Sequence, residues 1–142
     1  MRNHERPEGA SDELVEAVGK ASEAFEYVER VRGHLYSVHQ LMGRADFLFE
    51  EAADKLEAVG EHDHAAALRK EVVGRNVLEG RWTFQVMEEF DDEYYDAVRS
   101  AIRELEAALM DGRTHVYEAE MKEQRRSHGR RHHESRPPDT FD

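Results

Sequence analysis

The residues best suited to chemistry lie along the flank of one predicted helix, at His39, Asp46 and Glu50. Imidazole nitrogens and carboxylate oxygens are ligands for zinc, iron and manganese. On a helix, His39 and Asp46 lie two turns apart, or about 10 Å along the axis, so they cannot bind one ion unless another helix supplies ligands. The alternative is a half-buried His39 that makes a hydrogen bond while both acids face solvent. The flank is therefore a metal-site hypothesis with a structural alternative.

A second group of possible ligands lies at a predicted helix junction, in the run Glu61-His62-Asp63-His64. Ferritin-like di-metal proteins use a Glu-x-x-His pair from each of two helices and a Glu from each of two others. This chain has one such pair, Glu61 with His64, so a standard ferritin-like site is disfavoured. A non-standard His/carboxylate site stays open, with His62 and His64 as its second choice, and the alternative is a polar turn. Further carboxylates are available on the first and last predicted helices, at Glu23, Glu26, Glu29, Glu118 and Glu120.

The C-terminal segment is the one basic part of an acidic chain. The net charge is −12, yet residues 121–142 hold six Lys/Arg against four acidic residues. A flexible basic arm could contact nucleic-acid phosphates or the acidic surface of the protein itself. Because the patch is small, we do not expect nucleic acid to be the main partner. The candidate phosphate contacts are Arg125, Arg126, Arg130 and Arg131.

Several classes of function are disfavoured by composition. The chain has no Cys, which excludes disulfides, thiolate nucleophiles and thiolate metal sites. It also shows no phosphate-binding glycine loop and no nucleophile elbow, so no catalytic residue is assigned. The only cofactor left open is a divalent transition metal. No apolar run approaches the length of a membrane span, so we expect a cytoplasmic protein without a membrane partner.

The element that must position His39 is a long apolar stripe from Leu14 to Val59. Its spacing of three and four residues places the apolar side chains on one side of an α-helix. A continuous helix of this length would extend about 70 Å, which calls for an elongated molecule or a partner chain. Its members are Leu14, Val18, Ala21, Phe25, Val28, Val31, Leu35, Val38, Met42, Ala45, Phe49, Ala52, Leu56 and Val59.

Local signals favour a helical hairpin at Gly33 over one continuous helix. The alternation of three- and four-residue steps is interrupted at Val28–Val31, where two steps of three residues follow one another. Gly33 can end a helix in the left-handed conformation. Ser37 with Gln40 then fits a capping box for a second helix. The continuous helix stays open, since the stripe nearly keeps its phase through this region.

The rest of the chain predicts further helices. Ser11 is the expected N-cap of the first, Gly60 ends the stripe, and Asp63 caps the next helix. Residues 76–91 are expected to be helical or irregular, and Asp91 or Asp92 caps a final helix that extends to Arg126 or breaks at Asp111–Gly112. We therefore predict an all-α, antiparallel bundle of about four helices over 11–126. A flexible lead-in (1–10) and a basic disordered tail (127–142) flank it.

Two stretches resemble a known group of proteins. These are GRNVLEGRWTFQVMEEFDDEYY (74–95) and YEAEMKEQRRSHGR (117–130). Both are similar to short helical proteins of high-GC Gram-positive bacteria, and the similarity extends from about Arg32 onward. The resemblance implies a bacterial, cytosolic origin. It implies no activity, cofactor or catalytic residue.

Three functions follow in order of preference. The first is a non-enzymatic helical protein that acts through a protein–protein interface as a homodimer or other homo-oligomer. The second is a metal-binding bundle with a His/carboxylate site, with or without enzymatic activity. The third is a nucleic-acid-associated protein that uses the Arg-rich tail.

Overall fold

The computed structural model describes residues 2–136, and all regular structure within that range is helical. Four helical segments are present, which confirms the prediction of an all-α fold with about four helices. The third segment is unbroken but contains a π-helical stretch. In chain order the elements are α1 (Asp12–Ala58), α2 (His62–Glu71), α3 (Thr83–Glu89), the π-helical segment (Phe90–Tyr95), α4 (Asp96–Leu109) and α5 (Val116–Arg125).

Helix α1 is continuous, so the favoured hairpin at Gly33 is wrong and the continuous alternative is correct. Gly33 lies inside the helix, in open space and without a positive φ. Ser37 caps nothing, because its hydroxyl donates to the carbonyl of Gly33 one turn earlier. Arg32, which precedes Gly33, forms an ion pair with Asp91 at 2.8 Å. The continuous helix thus accommodates Gly33 and Ser37, and Arg32 serves a long-range contact.

The outer ends of α1 agree with prediction. The Ser11 hydroxyl accepts a hydrogen bond from the Leu14 N–H at 3.1 Å, which is the N-cap interaction. At the other end Gly60 takes φ +88°, and the N–H of Glu61 donates to the carbonyl of Leu56. A residue with a side chain rarely adopts that φ, so glycine is required there.

Later boundaries agree only in part. Asp63 does not cap α2, because the helix begins at His62 and places Asp63 in its first turn. Asp91 and Asp92 cap nothing either, since α3 continues through the π-helical segment into α4. The expected break at Asp111–Gly112 is present, with both residues at positive φ.

The chain divides into two compact units, which we call terminal and central. The terminal unit contains the chain up to Glu26 and again from Val98 onward. Its core consists of Val15 and Val18 of α1 with Met110 and Val116, and Ala10, Leu14 and Leu105 pack against it.

The central unit extends over Tyr27–Ala97. Glu29 contacts Tyr95 and His39 contacts Thr83, so α1 and the segment from α3 onward run antiparallel here. Four residues of this unit are buried: Ala53, Ala65, Met87 and Tyr95. Two of these are alanines, so the central unit encloses little apolar volume.

The predicted lead-in and tail make specific contacts where the structure describes them. Arg6 pairs with Glu120 at 2.7 Å and with Asp12 at 2.6 Å. Residues 127–136 form turns, while 137–142 of the predicted tail lie outside the described residues. Among residues 2–136, no helix has the length and apolar character needed to cross a bilayer.

Candidate functional site

The predicted ligands His39, Asp46 and Glu50 do not converge. His39 shares a hydrogen bond of 2.7 Å with the Thr83 hydroxyl, and Asp46 accepts one of 2.8 Å from the Gly74 N–H. Glu50 is exposed. The first two side chains therefore attach the 74–83 segment to α1. His39 and Glu50 behave as the structural alternative expects, whereas Asp46 is half-buried and hydrogen-bonded instead of facing solvent.

The second predicted pair also stays apart. The Nδ1 atom of His62 contacts Glu57 at 2.7 Å, and Glu57 also faces Arg69. The hydrogen bond from His62 holds the pKa of Glu57 below its ordinary value. His64 is exposed on the same helix. His62 and His64 thus belong to the polar first turn of α2, where they do not share a ligand site.

The tail arginines form no common patch in the described residues. Arg126 donates two hydrogen bonds to the Glu123 carboxylate, and this lowers the pKa of Glu123. Arg125, Arg130 and Arg131 are exposed. Nucleic-acid contact through these four residues stays a prediction, and removal of residues 127–142 with loss of salt-dependent binding is its test.

The terminal unit contains a His/carboxylate cluster that the sequence did not single out. It comprises Glu26 of α1, His115 just before α5, and Glu118 in the first turn of α5. Their ligand atoms all lie within 4.8 Å of one another, and no other three His, Asp or Glu residues among positions 2–136 meet that condition. The Nδ1 atom of His115 lies 2.6 Å from Glu118 and 3.9 Å from Glu26.

Two features surround His115. Its backbone adopts the left-handed conformation (φ 56°, ψ 28°), which is uncommon for a residue with a side chain. The ring of His4 meets the His115 ring edge-on at 6.0 Å. Glu106 of α4 lies near enough to interact electrostatically with His115, and its partial burial raises the pKa of its carboxyl group.

The sequence offered an incomplete signal for this cluster. Glu26 and Glu118 were both noted as available carboxylates, and His115 precedes Glu118 by three residues. The sequence around Glu26 does not indicate that α1 brings this residue close to His115. Only the tertiary contacts of the terminal unit place the two together.

The central unit carries an open apolar surface along α1, which we call the α1 face. The exposed fraction is 68 % for Leu41 and 46 % for Leu48. Soluble monomers rarely leave a contiguous apolar patch of more than a few hundred Å² uncovered. Beside these two, the large exposed members of the face are Val31, Val38, Met42, Phe49 and Val59.

One border of the α1 face is a groove of about 500 Å³. Trp82 and Phe84 line it from the far side, and Met42 and Phe49 belong to both the groove and the face. The rings of Trp82 and Phe84 pack edge-on at 5.9 Å. The open apolar surface therefore continues beyond α1 itself.

No protein-family model, curated protein or solved structure matches this chain. The two surfaces described above are therefore judged on their geometry alone. The α1 face has the greater extent, while the cluster around His115 has the more specific chemistry.

Proposed function

We propose that this protein is non-enzymatic and acts through a protein–protein interface formed by the α1 face, with a second copy of the chain as its partner. A cytoplasmic location, which the sequence predicts, is part of the proposal. So is the bacterial origin that the resemblance implies.

One observation carries this proposal: the central unit exposes more large apolar side chains than it buries. Only Met87 and Tyr95 are large and buried among residues 27–97, whereas seven large apolar residues of the α1 face remain open. Burial of apolar surface stabilises by about 25 cal/mol per Å². A unit with so small an interior gains stability when another surface covers this face.

The test is a pair of matched substitutions on α1. Leu41 lies on the α1 face and is 68 % exposed. Its neighbour Gln40 is also exposed, but it lies on the other side of the helix and outside the groove. A charge buried in an interface is strongly unfavourable, so Leu41→Glu should shift the chain toward 16.5 kDa in sedimentation equilibrium. Gln40→Glu should leave the larger mass intact.

Two results would refute the proposal. The first is a wild-type mass of 16.5 kDa at every concentration up to the millimolar range. The second is equal weakening by the two variants, which would show that any added charge on α1 disturbs association.

A second candidate function, metal binding, is favoured by the cluster of Glu26, His115 and Glu118. One imidazole with two carboxylates is a ligand set that suits zinc. A metal on Nδ1 of His115 would take the place of the hydrogen bond to Glu118, and the neutral imidazole would then carry its proton on Nε2. Protons compete with the metal for the imidazole and the carboxylates, so binding should weaken as the pH falls.

Calorimetric titration with zinc tests this candidate. Wild-type protein without a His tag should bind one equivalent, more weakly at lower pH, and His115→Ala should lose that binding. His64→Ala is the control, because His64 is exposed and lies outside the cluster. Equal zinc binding by wild type and His115→Ala would reject the site.

A further inference from the structure

The stripe on α1 has the spacing of a coiled coil from Val31 to Val59. Its steps alternate strictly between four and three residues over four heptads. This is the spacing that lets two helices pack side chains into each other along a continuous line. We call these nine residues the seam. Its a positions are Leu35, Met42, Phe49 and Leu56, and its d positions are Val31, Val38, Ala45, Ala52 and Val59.

Side-chain size divides these positions into two sets. Every a residue is large, and every d residue is valine or alanine. In a parallel pair each a residue meets the same residue of its partner, so two Phe49 rings would crowd one layer while two Ala52 residues left a gap in the next. In an antiparallel pair each a residue meets a d residue, so each layer combines a large side chain with a small one.

The two sides of the seam differ in what already covers them. The e side is covered by the chain's own 74–91 region. Arg32 forms an ion pair with Asp91, and hydrogen bonds join His39 to Thr83 and Asp46 to Gly74. The g side carries the open Leu41 and Leu48. Parallel coiled coils place g against the partner's e, which is engaged here. Antiparallel coiled coils place g against g on one side and e against e on the other, so only this arrangement leaves one side of the pair free of both 74–91 regions.

We propose that the partner on the α1 face is a second copy of this chain in an antiparallel coiled coil. In this register Phe49 packs on the partner's Val38, Met42 on the partner's Ala45, and Leu41 on the partner's Leu48. The inference rests on the proposed self-association and adds its direction and register. The arrangement is two-fold symmetric, so each contact occurs twice.

The extent of the seam is adequate for a stable pair. From Val31 to Val59 it is about 42 Å long. The open parts of the seven large side chains of the α1 face amount to about 500 Å² in one copy, or about 1,000 Å² in two. Stable interfaces bury about 1,200–2,000 Å² in total, and polar residues at the rim supply the remainder.

Cysteine cross-linking tests the register directly, because the chain contains no Cys. Val38→Cys and Phe49→Cys proteins are prepared separately, mixed, and oxidised gently. In the proposed register residue 38 of one copy meets residue 49 of the other, so the mixture should give a covalent heterodimer. Each variant alone should not cross-link, because its two copies of the same residue lie about 16 Å apart, beyond the reach of a disulfide.

The pair Leu35→Cys and Ala52→Cys provides an independent check at the next layer outward. Each variant is first confirmed as a dimer by sedimentation, so that a lost cross-link is not confused with lost association. Dimers in which Val38→Cys cross-links to itself would establish a parallel pair and overturn the register. If the proteins are dimers but neither mixture cross-links, the proposed register is overturned and the proposed self-association is not. A monomeric wild type would instead overturn the proposed function.

Discussion

At the scale of single residues, Gly19 is the only glycine among residues 2–136 at which an added Cβ atom would meet a neighbour within 4 Å. A Cβ atom added there would lie 2.9 Å from the Cβ atom of Tyr117. That neighbouring atom is fixed close to the backbone of α5, so it cannot move aside alone. Glycine is therefore needed at this point of α1 to let α5 approach.

We expect Gly19→Ala to lower the free energy of unfolding by about 1–3 kcal/mol through overpacking. Gly33→Ala is the matched control on the same helix, because nothing lies within 4 Å of its added methyl group. It should raise stability by about 0.5–1 kcal/mol, since alanine favours the helix. Urea denaturation of both variants measures the difference, and a stabilising Gly19→Ala would contradict the packing described.

The half-buried Glu106 predicts a pH-dependent effect. Burial raises the pKa of this carboxyl group in the folded state, so ionisation weakens folding at neutral pH. Glu106→Gln should therefore raise Tm at pH 7. The gain should vanish below about pH 4, where the group is protonated in both folded and unfolded chains. Glu104→Gln, at an exposed site on the same helix, is the control, and an equal gain at both pH values would reject this explanation.

At the scale of elements, the π-helical segment is the feature that joins α3 to α1 in the central unit. It presents Asp91 to Arg32, and it presents Tyr95, whose hydroxyl donates to Glu29 at 2.6 Å. The Arg32 guanidinium also lies 4.5 Å from the centre of the Tyr95 ring. One arginine thus contacts both ends of the segment.

We expect Asp91→Asn to destabilise the protein by about 1–2 kcal/mol, because Arg32 would lose a partly buried ionic partner. The hydrogen bond to Asp91 holds the pKa of Arg32 above its ordinary value. Without that bond the guanidinium is still charged at neutral pH, so the variant leaves a partly buried charge without its ionic partner. Asp92→Asn changes the exposed neighbour and should cost little. Thermal unfolding of the two variants provides the comparison, and equal losses would show that the charge of the segment matters more than this pair.

The elements also show which signals the sequence contains. Ser11, Gly60 and Gly112 mark boundaries through short-range chemistry, and these boundaries are where the sequence predicts them. Gly33 and Asp91 suggested helix ends that the structure does not have. Gly33 lies in open space within α1, where the helix continues through it. Asp91 forms a long-range ion pair, and its residue type alone cannot distinguish that role from helix capping.

The candidate sites follow the same rule. His39 and Asp46 share a helix flank and were therefore easy to group. Yet His39 bonds to Thr83 at the start of α3, and Asp46 bonds to Gly74 in the loop before it. Glu26 and His115 are 89 positions apart and meet only through the fold. The apolar stripe, in contrast, was visible in full. Its exposure was not, because exposure depends on what the rest of the chain leaves uncovered.

At the scale of the whole molecule, net charge opposes the proposed self-association. Each copy carries −12, so two copies repel one another at low ionic strength. Salt shortens the range of this repulsion from about 30 Å at 0.01 M to about 3 Å at 1 M. We therefore expect the dimer to tighten as NaCl is raised, as measured by sedimentation equilibrium. Weakening by salt would indicate that ion pairs, rather than the apolar seam, hold the copies together.

The left-handed backbone at His115 has a consequence for selection. Glycine would adopt that conformation without steric strain, so the histidine reduces the stability of the whole chain by about 1 kcal/mol. A library randomised at this position and screened for heat resistance alone should return glycine. The same library screened for zinc retention should return histidine. The two enrichments together would show whether this imidazole is kept at the expense of stability.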